Sequence, residues 1–309
     1  AHQKLYSGFS FLSLIDSRKP IMRRNFIFAV RRTIHARARH RPFSTRTLNG
    51  FQCNIQEIGR SNSRDWRLFC QRNNRIESFW HNIPLIHDRS RSLYNFISEI
   101  PLGTRAKNEI ATEEEHTPIK QDISKGELRF FSYGSIPFNY GCFPQTYEDP
   151  NESHPDTNRP GDNDPIDVCE ISEIPLRTGV IEPVKILGVF GLIDEEETDW
   201  KIIAVSLQNP FFSQLNDIRD VERFLPGRLD SIRDWFRNYK VGDGKPPNRF
   251  SHDDEPQSKE YATRIVAETN QSWKDLVAGK LEPGKLYIDL AKRNHSSNNG
   301  NCRVNSQVS

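Results

Sequence analysis

Residues 161–168 read Gly-Asp-Asn-Asp-Pro-Ile-Asp-Val, which places the carboxylates of Asp162, Asp164 and Asp167 within six residues, just before a strand-like run over 168–174. Carboxylic acids with pKa values near ~4 are all ionised at neutral pH, and like charges this close repel one another. A hard divalent cation is the natural partner of such a group. The alternative is an acidic surface turn, because Gly, Asp, Asn and Pro are also ordinary turn residues.

The charge of the chain is unevenly distributed. Residues 1–50 carry eleven Lys or Arg against one acid, Asp16, whereas the rest of the chain carries 32 basic and 40 acidic residues. Residues 22–50 hold eight arginines and no acid, with apolar residues between the arginines. This composition predicts a mitochondrial transit peptide. A basic arm for nucleic acid uses the same electrostatics, but aromatic stacking motifs and an RNA-binding signature are missing.

The sequence predicts three segments: a transit peptide over 1–50, a folded domain over 51–290 and a disordered polar tail over 291–309. The only methionine is Met22, which predicts that residues 1–21 are not part of the natural product. No run approaches the ~18 apolar residues of a membrane span. The five cysteines are odd in number and form no CxxC motif, which favours a reducing compartment over a disulfide framework or a zinc site.

The first half of the domain is typical of β-structure. Alternating polar and apolar residues over 54–80, interrupted at Asn73-Asn74-Arg75, predict a hairpin. A strand is expected over 93–101. An extended segment over 107–110 would place Lys107 and Glu109 on the same face, because alternate residues of a strand point the same way.

Two loops are predicted around a short strand. We expect a charged loop over 111–125 and a strand over 128–131, in which Arg129 interrupts an apolar run. Such an arginine is more typical of a surface side chain than of a ligand clamp. Residues 133–161 are rich in Gly, Pro, Asn, Asp and Tyr and predict a long functional loop.

Two β-branched runs, over 180–193 and 200–205, predict neighbouring strands joined by an acidic turn. A solvated hairpin end is the common interpretation of such a turn. Asp194 and Asp199 nevertheless flank it where the two strands finish, so both carboxylates can face one point.

The rest of the domain shows helical periodicity. Helices are predicted over 217–224, 230–239 and 257–277. The Gly-Asp-Gly-Lys at 242–245 does not match GxxxxGK[ST] and predicts a turn. Strands followed by helices indicate an α+β arrangement, with an antiparallel sheet or small barrel covered by helices.

These residues match a known family pattern. Residues 162–168 satisfy the D-x-D-P-x-D-x signature of the soluble family I inorganic pyrophosphatases, and the chain resembles the eukaryotic members from about 54 to 285. Supporting matches are Phe-Pro-Gln-Thr-Tyr-Glu-Asp-Pro at 143–150, Asp-Glu-Glu-Glu-Thr-Asp-Trp-Lys at 194–201, and Trp-Phe-Arg-Asn-Tyr-Lys at 235–240 before Asp-Gly-Lys-Pro at 243–246. The resemblance implies a mainly antiparallel five-stranded OB-like β-barrel with flanking α-helices.

The resemblance also implies residue roles. Several Mg²⁺ ions per site would be held by carboxylates, most tightly by Asp162, Asp167 and Asp199, while Asp194 and Glu109 would hold further ions beside the substrate. Asp164 would be the general base for the attacking water. The implied catalytic set is Asp164, Lys107, Arg129 and Tyr140. The implied substrate-binding set is Lys201, Tyr239 and Lys240, with Glu99 in support.

The chemistry explains these residue types. Pyrophosphate is a polyanion that repels hydroxide, so its site needs cations and a nucleophile at neutral pH. Magnesium supplies both and prefers oxygen ligands. Lys and Arg stabilise charge on the leaving phosphate.

Two positions depart from the family pattern. Ile136 stands where the family usually has a tyrosine, so we expect one substrate or water hydrogen bond to be missing and turnover to be slower or altered. Leu102-Gly103 stands where eukaryotic members tend to carry Arg-Trp at an interface, so we expect the contacts of the implied homodimer to differ.

The leading hypothesis is a magnesium-dependent pyrophosphatase of the mitochondrial matrix, with a cytoplasmic location as the alternative. It would bind pyrophosphate but no nucleic acid, and it would not span a membrane. The alternative function is a non-catalytic, chromatin-associated relative, suggested by Ile136 and the basic leader. An OB-fold nucleic-acid binder is the third hypothesis, because a net negative charge over residues 51–309 disfavours binding to the phosphate backbone of a nucleic acid.

Overall fold

The computed structural model of the chain describes residues 53–288. Its strands, in chain order, are β1 (Asn54–Ile58), β2 (Arg67–Arg72), β3 (Arg75–Glu77), β4 (Ile86–Asp88), β5 (Leu93–Ile100), β6 (Asn108–Ile110), β7 (Ile119–Gln121), β8 (Ile123–Ser124), β9 (Glu127–Leu128), β10 (Asn139–Cys142), β11 (Ser153–His154), β12 (Arg159–Pro160), β13 (Asp167–Glu170), β14 (Ile181–Asp194), β15 (Glu197–Ser206), β16 (Arg249–Phe250) and β17 (Gln257–Ser258). The helices are α1 (Ile218–Phe224), α2 (Arg228–Asn238) and α3 (Lys259–Val277).

The longest hairpin is the one predicted from the two β-branched runs. Strands β14 and β15 pair antiparallel, and Asp194 lies opposite Glu197 at the last step. The two turn residues between them, Glu195 and Glu196, have φ values of 47° and 73°. Positive φ at both positions is the requirement of a tight two-residue hairpin turn, which fixes the register of the long strands.

The central sheet runs in the order β16-β14-β15-β13-β10-β5-β4, and β14 also pairs with β5. The parallel pair of β13 and β15 interrupts an otherwise antiparallel arrangement. Strand β10 lies inside the segment 133–161, so the prediction of a continuous loop there is wrong. A Cβ at Gly141 would lie 1.9 Å from the carbonyl oxygen of Ile97, so β10 can join β5 only because it carries glycine there.

The second sheet follows the order β1-β2-β7-β6, with β3 paired to β2. The predicted hairpin is confirmed as β2 and β3, and Asn73 and Asn74 form its turn with positive φ. The charged loop predicted over 111–125 is wrong in part, because β7 and β8 lie within it. These strands are three and two residues long, respectively, too short for an alternating pattern to show in the sequence.

The three predicted helices are confirmed, with ends shifted by one or two residues. Asp217 caps α1, where the Asp217 side chain and that of Asp220 form a reciprocal capping box. Ser258 caps α3, which buries Ala262, Ile265 and Val266 against the central sheet. The turn predicted over 242–245 overlaps a single 3-10 turn, Val241–Asp243.

Both faces of the central sheet are covered. Along β15, Ile202 and Ala204 point into the core under α3, whereas Ile203 and Val205 point into a second core that also contains Trp235 and Phe236 of α2. Because successive side chains alternate, Asp199 and Lys201 share the α2 side of β15 with Ile203. The functional site lies at this polar end of the second core.

The coarse fold class is confirmed as a mixed α+β arrangement with mostly antiparallel sheets. Within residues 53–288 no helix combines the length and hydropathy needed to cross a bilayer. Cys53, Cys70, Cys142 and Cys169 are all buried free thiols. The predicted transit peptide, the polar tail and Cys302 lie outside the described residues.

Candidate active site

One cavity of about 290 Å³ collects every site residue that the sequence predicts. Its lining includes the carboxylates of Glu99, Glu109, Asp162, Asp164, Asp167, Asp194 and Asp199, the cationic side chains of Lys107, Arg129, Lys201 and Lys240, and the phenols of Tyr140 and Tyr239. Residues separated by up to 141 positions in the chain therefore meet at one point. Two larger cavities, of about 550 and 480 Å³, are lined by none of these residues.

Strand register builds the centre of the site. Asp167 of β13 lies directly opposite Lys201 of β15, and Tyr140 of β10 lies opposite Cys169, the next residue of β13 on the same face. The Lys201 ammonium donates to Asp167 Oδ2 at 2.5 Å, to the Tyr140 hydroxyl at 3.0 Å and to Asp199 Oδ1. Tyr140 in turn donates to Asp167 Oδ2.

Lys201 is an unusually buried cation, with 1% of its surface exposed. Burial disfavours its charge, but the carboxylates of Asp167 and Asp199 raise the pKa of the ammonium group well above its ordinary value. Burial, partly offset by Lys201, raises the pKa of Asp199 to about 8. Burial therefore raises the pKa of Asp199 by more than the Lys201 ammonium lowers it.

The end of the β14–β15 hairpin forms a second wall of the cavity. The Tyr239 hydroxyl donates to Asp194 Oδ2 at 2.6 Å, and the Lys240 ammonium donates to Asp194 Oδ1 at 2.7 Å. Tyr239 directly follows α2, and its ring stacks on that of Trp235 with centroids 5.0 Å apart. The expectation that Asp194 and Asp199 face a common point is supported, because both line this cavity.

Lys107 and Glu109 lie on one face, as predicted, with Lys107 Nζ 2.6 Å from Glu109 Oε2. Asp122 joins them: its Oδ2 lies 3.3 Å from Lys107 Nζ and 3.0 Å from a guanidinium nitrogen of Arg129. The interpretation of Arg129 as a surface side chain is therefore wrong, since it lines the cavity and is held there by Asp122.

The signature loop 161–167 is held by the segment around Glu148. The Glu148 amide donates to the Asp164 carbonyl at 2.9 Å, and the Asn163 amide donates back to the Glu148 carbonyl at 3.0 Å. A Cβ at Gly161 would lie 2.4 Å from the Glu148 carbonyl carbon. Glycine at 161 thus permits the close contact that places Asp162 and Asp164.

Asp164 lies at the open side of the cavity. Desolvation by the surrounding protein, followed by repulsion from Glu109, raises the pKa of Asp164 to about 7, although its side chain remains in contact with solvent. The Thr112 hydroxyl donates to Asp164 Oδ1 at 3.4 Å. A carboxyl group with this pKa can accept a proton near neutral pH.

The residues that could hold a metal differ slightly from those implied by the resemblance. Single carboxylate oxygens of Glu148, Asp162 and Asp199 all lie within 4.8 Å of one another. Asp167 is not in this group, and its Oδ2 is instead bonded to Lys201 and Tyr140. Burial and the charges of Asp162 and Asp199 raise the pKa of Glu148 well above its ordinary value.

Comparison with known proteins agrees with this arrangement. The family model for inorganic pyrophosphatase matches residues 96–274. An inorganic pyrophosphatase of Candida glabrata is 46% identical over 243 residues, covering 77% of this chain and 84% of that protein. The chain belongs to the inorganic pyrophosphatase family.

Solved structures of family members have the same fold. An inorganic pyrophosphatase from Schistosoma japonicum matches with a TM-score of 0.71 and 43% identity, covering 72% of this chain and 81% of that one. A Trypanosoma cruzi vacuolar soluble pyrophosphatase, truncated at its N-terminal domain, matches with a TM-score of 0.71 and 37% identity. The match covers 77% of this chain and 98% of that chain.

Ile136 of this family member lies in the core. Its side chain is 1% exposed and belongs to the apolar cluster of Phe131, Phe138 and Trp235. Ile136 does not line the cavity. The expectation of a missing hydrogen bond to substrate or water stays a prediction.

Sequence reasoning missed several residues of this pyrophosphatase site. Asn108 and Glu197 line the cavity, Asp122 and Thr112 bond to cavity side chains, and Glu148 approaches the signature aspartates. Glu148 lies in the Tyr-Glu-Asp-Pro motif that supported the resemblance, so the motif could have identified its carboxylate as part of the site. Asp122 and Thr112 gave none, because both lie in a segment predicted as a charged loop.

Proposed function

We propose that the chain hydrolyses pyrophosphate to two orthophosphates in a magnesium-dependent reaction. The proposal rests above all on the cavity, in which eight carboxylates face four cationic side chains. Carboxylates alone would bind a cation, and Lys and Arg alone would bind a phosphate. A site with both can bind a phosphate together with its metal ions. The Trypanosoma cruzi structure described above is a complex with PPi, and its similarity supports the same substrate here.

The donor set fits several Mg²⁺ ions. The candidate ligands are carboxylate oxygens of Asp162, Asp167, Asp199, Asp194 and Glu109, and Mg²⁺ prefers oxygen ligands. Burial, with smaller contributions from the charges of Asp167 and Asp194, raises the pKa of Asp199 despite the nearby Lys201, and a bound cation would offset this effect. When bound, such ions neutralise phosphate oxygens and acidify water.

The side chains of the site have distinct roles in this proposal. Asp164 accepts the proton of the attacking water, and its pKa of about 7 suits that task. Lys107, Arg129, Lys201, Tyr239 and Lys240 all line the cavity and would hold the two phosphoryl groups. Tyr140 and Tyr239 keep their protons, because burial and nearby carboxylates raise the pKa of both phenols.

Glu99 has a supporting role in the proposal. Its Oε1 accepts a hydrogen bond from the Ile110 amide at 2.7 Å, and its carbonyl accepts one from the Asn108 side chain at 3.2 Å. Glu99 thereby holds β6, the strand that carries Glu109, against β5.

We infer that β5, β10, β13, β14 and β15 form the OB-like barrel expected from the resemblance. The pairing of β14 with both β15 and β5 supports a ring of these five strands. We also propose a mitochondrial matrix location, with the cytoplasm as the alternative, on the basis of the arginine-rich leader. A homodimer is proposed from the family resemblance alone.

A phosphate-release assay tests the function. Purified chain is given pyrophosphate with Mg²⁺ or with a chelator, and orthophosphate is measured with malachite green. We expect release only with Mg²⁺, and a chain beginning near residue 50 should be as active as the full chain. Absence of metal-dependent release at any pH would refute the proposal and favour the non-catalytic interaction subunit.

A further inference from the structure

Glu148 lies beside the proposed metal site without a role in it so far. Its side chain is 3% exposed, and one of its oxygens, Oε1, accepts a hydrogen bond from the Trp200 amide at 3.0 Å. The other oxygen, Oε2, is buried and has no hydrogen-bond partner. Buried carboxylate oxygens are normally paired, so an unpaired one requires a specific explanation.

The surroundings of Glu148 point to a cation. Its carboxylate lies with those of Asp162 and Asp199, with ligand oxygens within 4.8 Å of one another. Three buried or half-buried acids at this separation repel one another unless a positive charge lies among them. The ion pairs of Lys201 are with Asp167 and Asp199, not with Glu148.

The backbone holds Glu148 in this position. The hydrogen bonds between Glu148 and residues 163 and 164 tie it to the signature loop on both sides. The neighbouring Tyr147 hydroxyl donates to the Asn163 side chain at 2.8 Å. Glu148 therefore approaches Asp162 as part of one rigid unit rather than as a mobile surface acid.

We propose that Glu148 is a further metal-binding residue of the site, whose Oε2 contacts the cation bound by Asp162 and Asp199 or a water molecule on that cation. This inference rests on the proposed function, because it assumes that a divalent cation occupies the site. It adds a residue from the 143–150 segment to Asp162 of the signature loop and Asp199 of the β14–β15 hairpin.

The test is the affinity for Mg²⁺, measured by calorimetry on the full chain without substrate. Glu148→Gln keeps Oε1 as the acceptor for the Trp200 amide but replaces Oε2 with a nitrogen that cannot bind a cation. Loss of a residue that supports a metal site typically weakens binding by about 10–100-fold, and we expect at least tenfold here. Affinity within twofold of the unaltered chain would overturn the proposal.

Glu170 provides a matched control, because it is equally buried but both of its oxygens are bonded. Oε2 accepts from the Asn139 side chain, and Oε1 accepts from the Ser172 and Ser206 amides. Glu170→Gln is expected to lower the melting temperature while leaving Mg²⁺ affinity within twofold. A purely structural role for Glu148 predicts that Glu148→Gln behaves like this control.

A second measurement does not depend on whether the variant folds. Crystals of the unaltered chain grown with Mn²⁺ would locate the ion by anomalous scattering. We expect Glu148 Oε2 to contact the ion or a water bound to it. An ion held by Asp162 and Asp199 with Oε2 bonded only to protein would refute the inference. If the unaltered chain binds neither Mg²⁺ nor Mn²⁺, the proposed function itself fails.

Discussion

Lys201 decides the electrostatics of the site at the scale of single residues. It is the most enclosed of the cavity's cations and lies between Asp167 and Asp199. A buried ion pair contributes little net stability, but removing one partner leaves an uncompensated charge at considerable cost. The same lysine also limits how negative the metal site becomes, so its loss should affect stability and cation affinity in opposite directions.

The first prediction is that Lys201→Met destabilises the cation-free protein by about 3–5 kcal/mol, because Asp167 and Asp199 lose their buried partner. Pyrophosphatase activity should fall, while Mg²⁺ affinity should rise because the site becomes more negative. Chemical unfolding with chelator, together with calorimetry, measures both effects.

Lys185→Met is the control for Lys201→Met. Lys185 is also buried, but its ammonium donates to the Phe212 carbonyl at 2.6 Å and to the Asn216 side chain at 3.1 Å. Its loss should cost about 1.5–3 kcal/mol and leave Mg²⁺ affinity unchanged. Weaker Mg²⁺ binding by Lys201→Met would contradict the prediction.

The signature aspartates should separate into a base and ligands. Asp164→Asn should keep Mg²⁺ binding but lower kcat by about 10²–10⁴-fold, the usual contribution of a general base. Asp167→Ala should weaken Mg²⁺ binding itself by at least about tenfold. Parallel calorimetry and phosphate-release assays test the pair, and equal Mg²⁺ affinity in the two variants would show that the roles are wrongly assigned.

At the scale of elements, the site depends on one close backbone contact. The segment around Glu148 lies against Gly161, and this contact sets the position of the signature loop. The β14–β15 hairpin supplies the opposite side, with Asp194 and Asp199 near its turn. Neither element carries the site alone, so a displacement of either by a fraction of an ångström should affect metal binding.

Gly161→Ala should displace the signature loop, because its Cβ would lie 2.4 Å from backbone that cannot move independently. We expect a loss of about 1–3 kcal/mol in the free energy of unfolding and several-fold weaker Mg²⁺ binding. Gly242→Ala is the control, since its Cβ meets the Ser132 hydroxyl, which can rotate away. If both variants bind Mg²⁺ equally well, the contact does not position the loop.

At the scale of the whole molecule, the buried carboxyl groups of the cavity make the free energy of unfolding depend on pH. The pKa of Asp199 is about 8, above its ordinary value of 3.8, so the folded chain retains a proton that the unfolded chain releases between those pH values. This contribution is fully present below about pH 4 and is lost as the pH rises through 8. Asp164 acts in the same direction but less strongly, because solvent screens it.

We therefore expect the melting temperature of the cation-free protein to carry a component that falls as the pH rises from about 5 to about 8.5. Mg²⁺ competes with these protons, so the increase in melting temperature on adding Mg²⁺ should be larger at the higher pH. Thermal unfolding with chelator and with Mg²⁺ measures both. An increase that is larger at the lower pH would contradict this account.

Much of the fold follows from local pattern. The β-branched runs of β14 and β15, the Asn-Asn turn between β2 and β3, and the periodic helices are recognisable because each is long or carries a specific turn residue. Strands β7 and β10 are not, because they are only three and four residues long and each buries a polar residue, Gln121 or Asn139. In the sequence Gly141 is typical of a loop, and only the structure shows that its close contact with Ile97 requires glycine within a strand.

The sequence by itself determined which residue types are available and which share a strand face: the spacing of the three signature aspartates, the pairing of Lys107 with Glu109, and the acids flanking the hairpin turn. Only the tertiary structure decided which charges meet. The approach of Glu148 to Asp162 and Asp199, and the anchoring of Arg129 by Asp122, join segments that have no local signal for each other. Electrostatic interaction depends on distance and burial in space, and strand register across the sheet sets both.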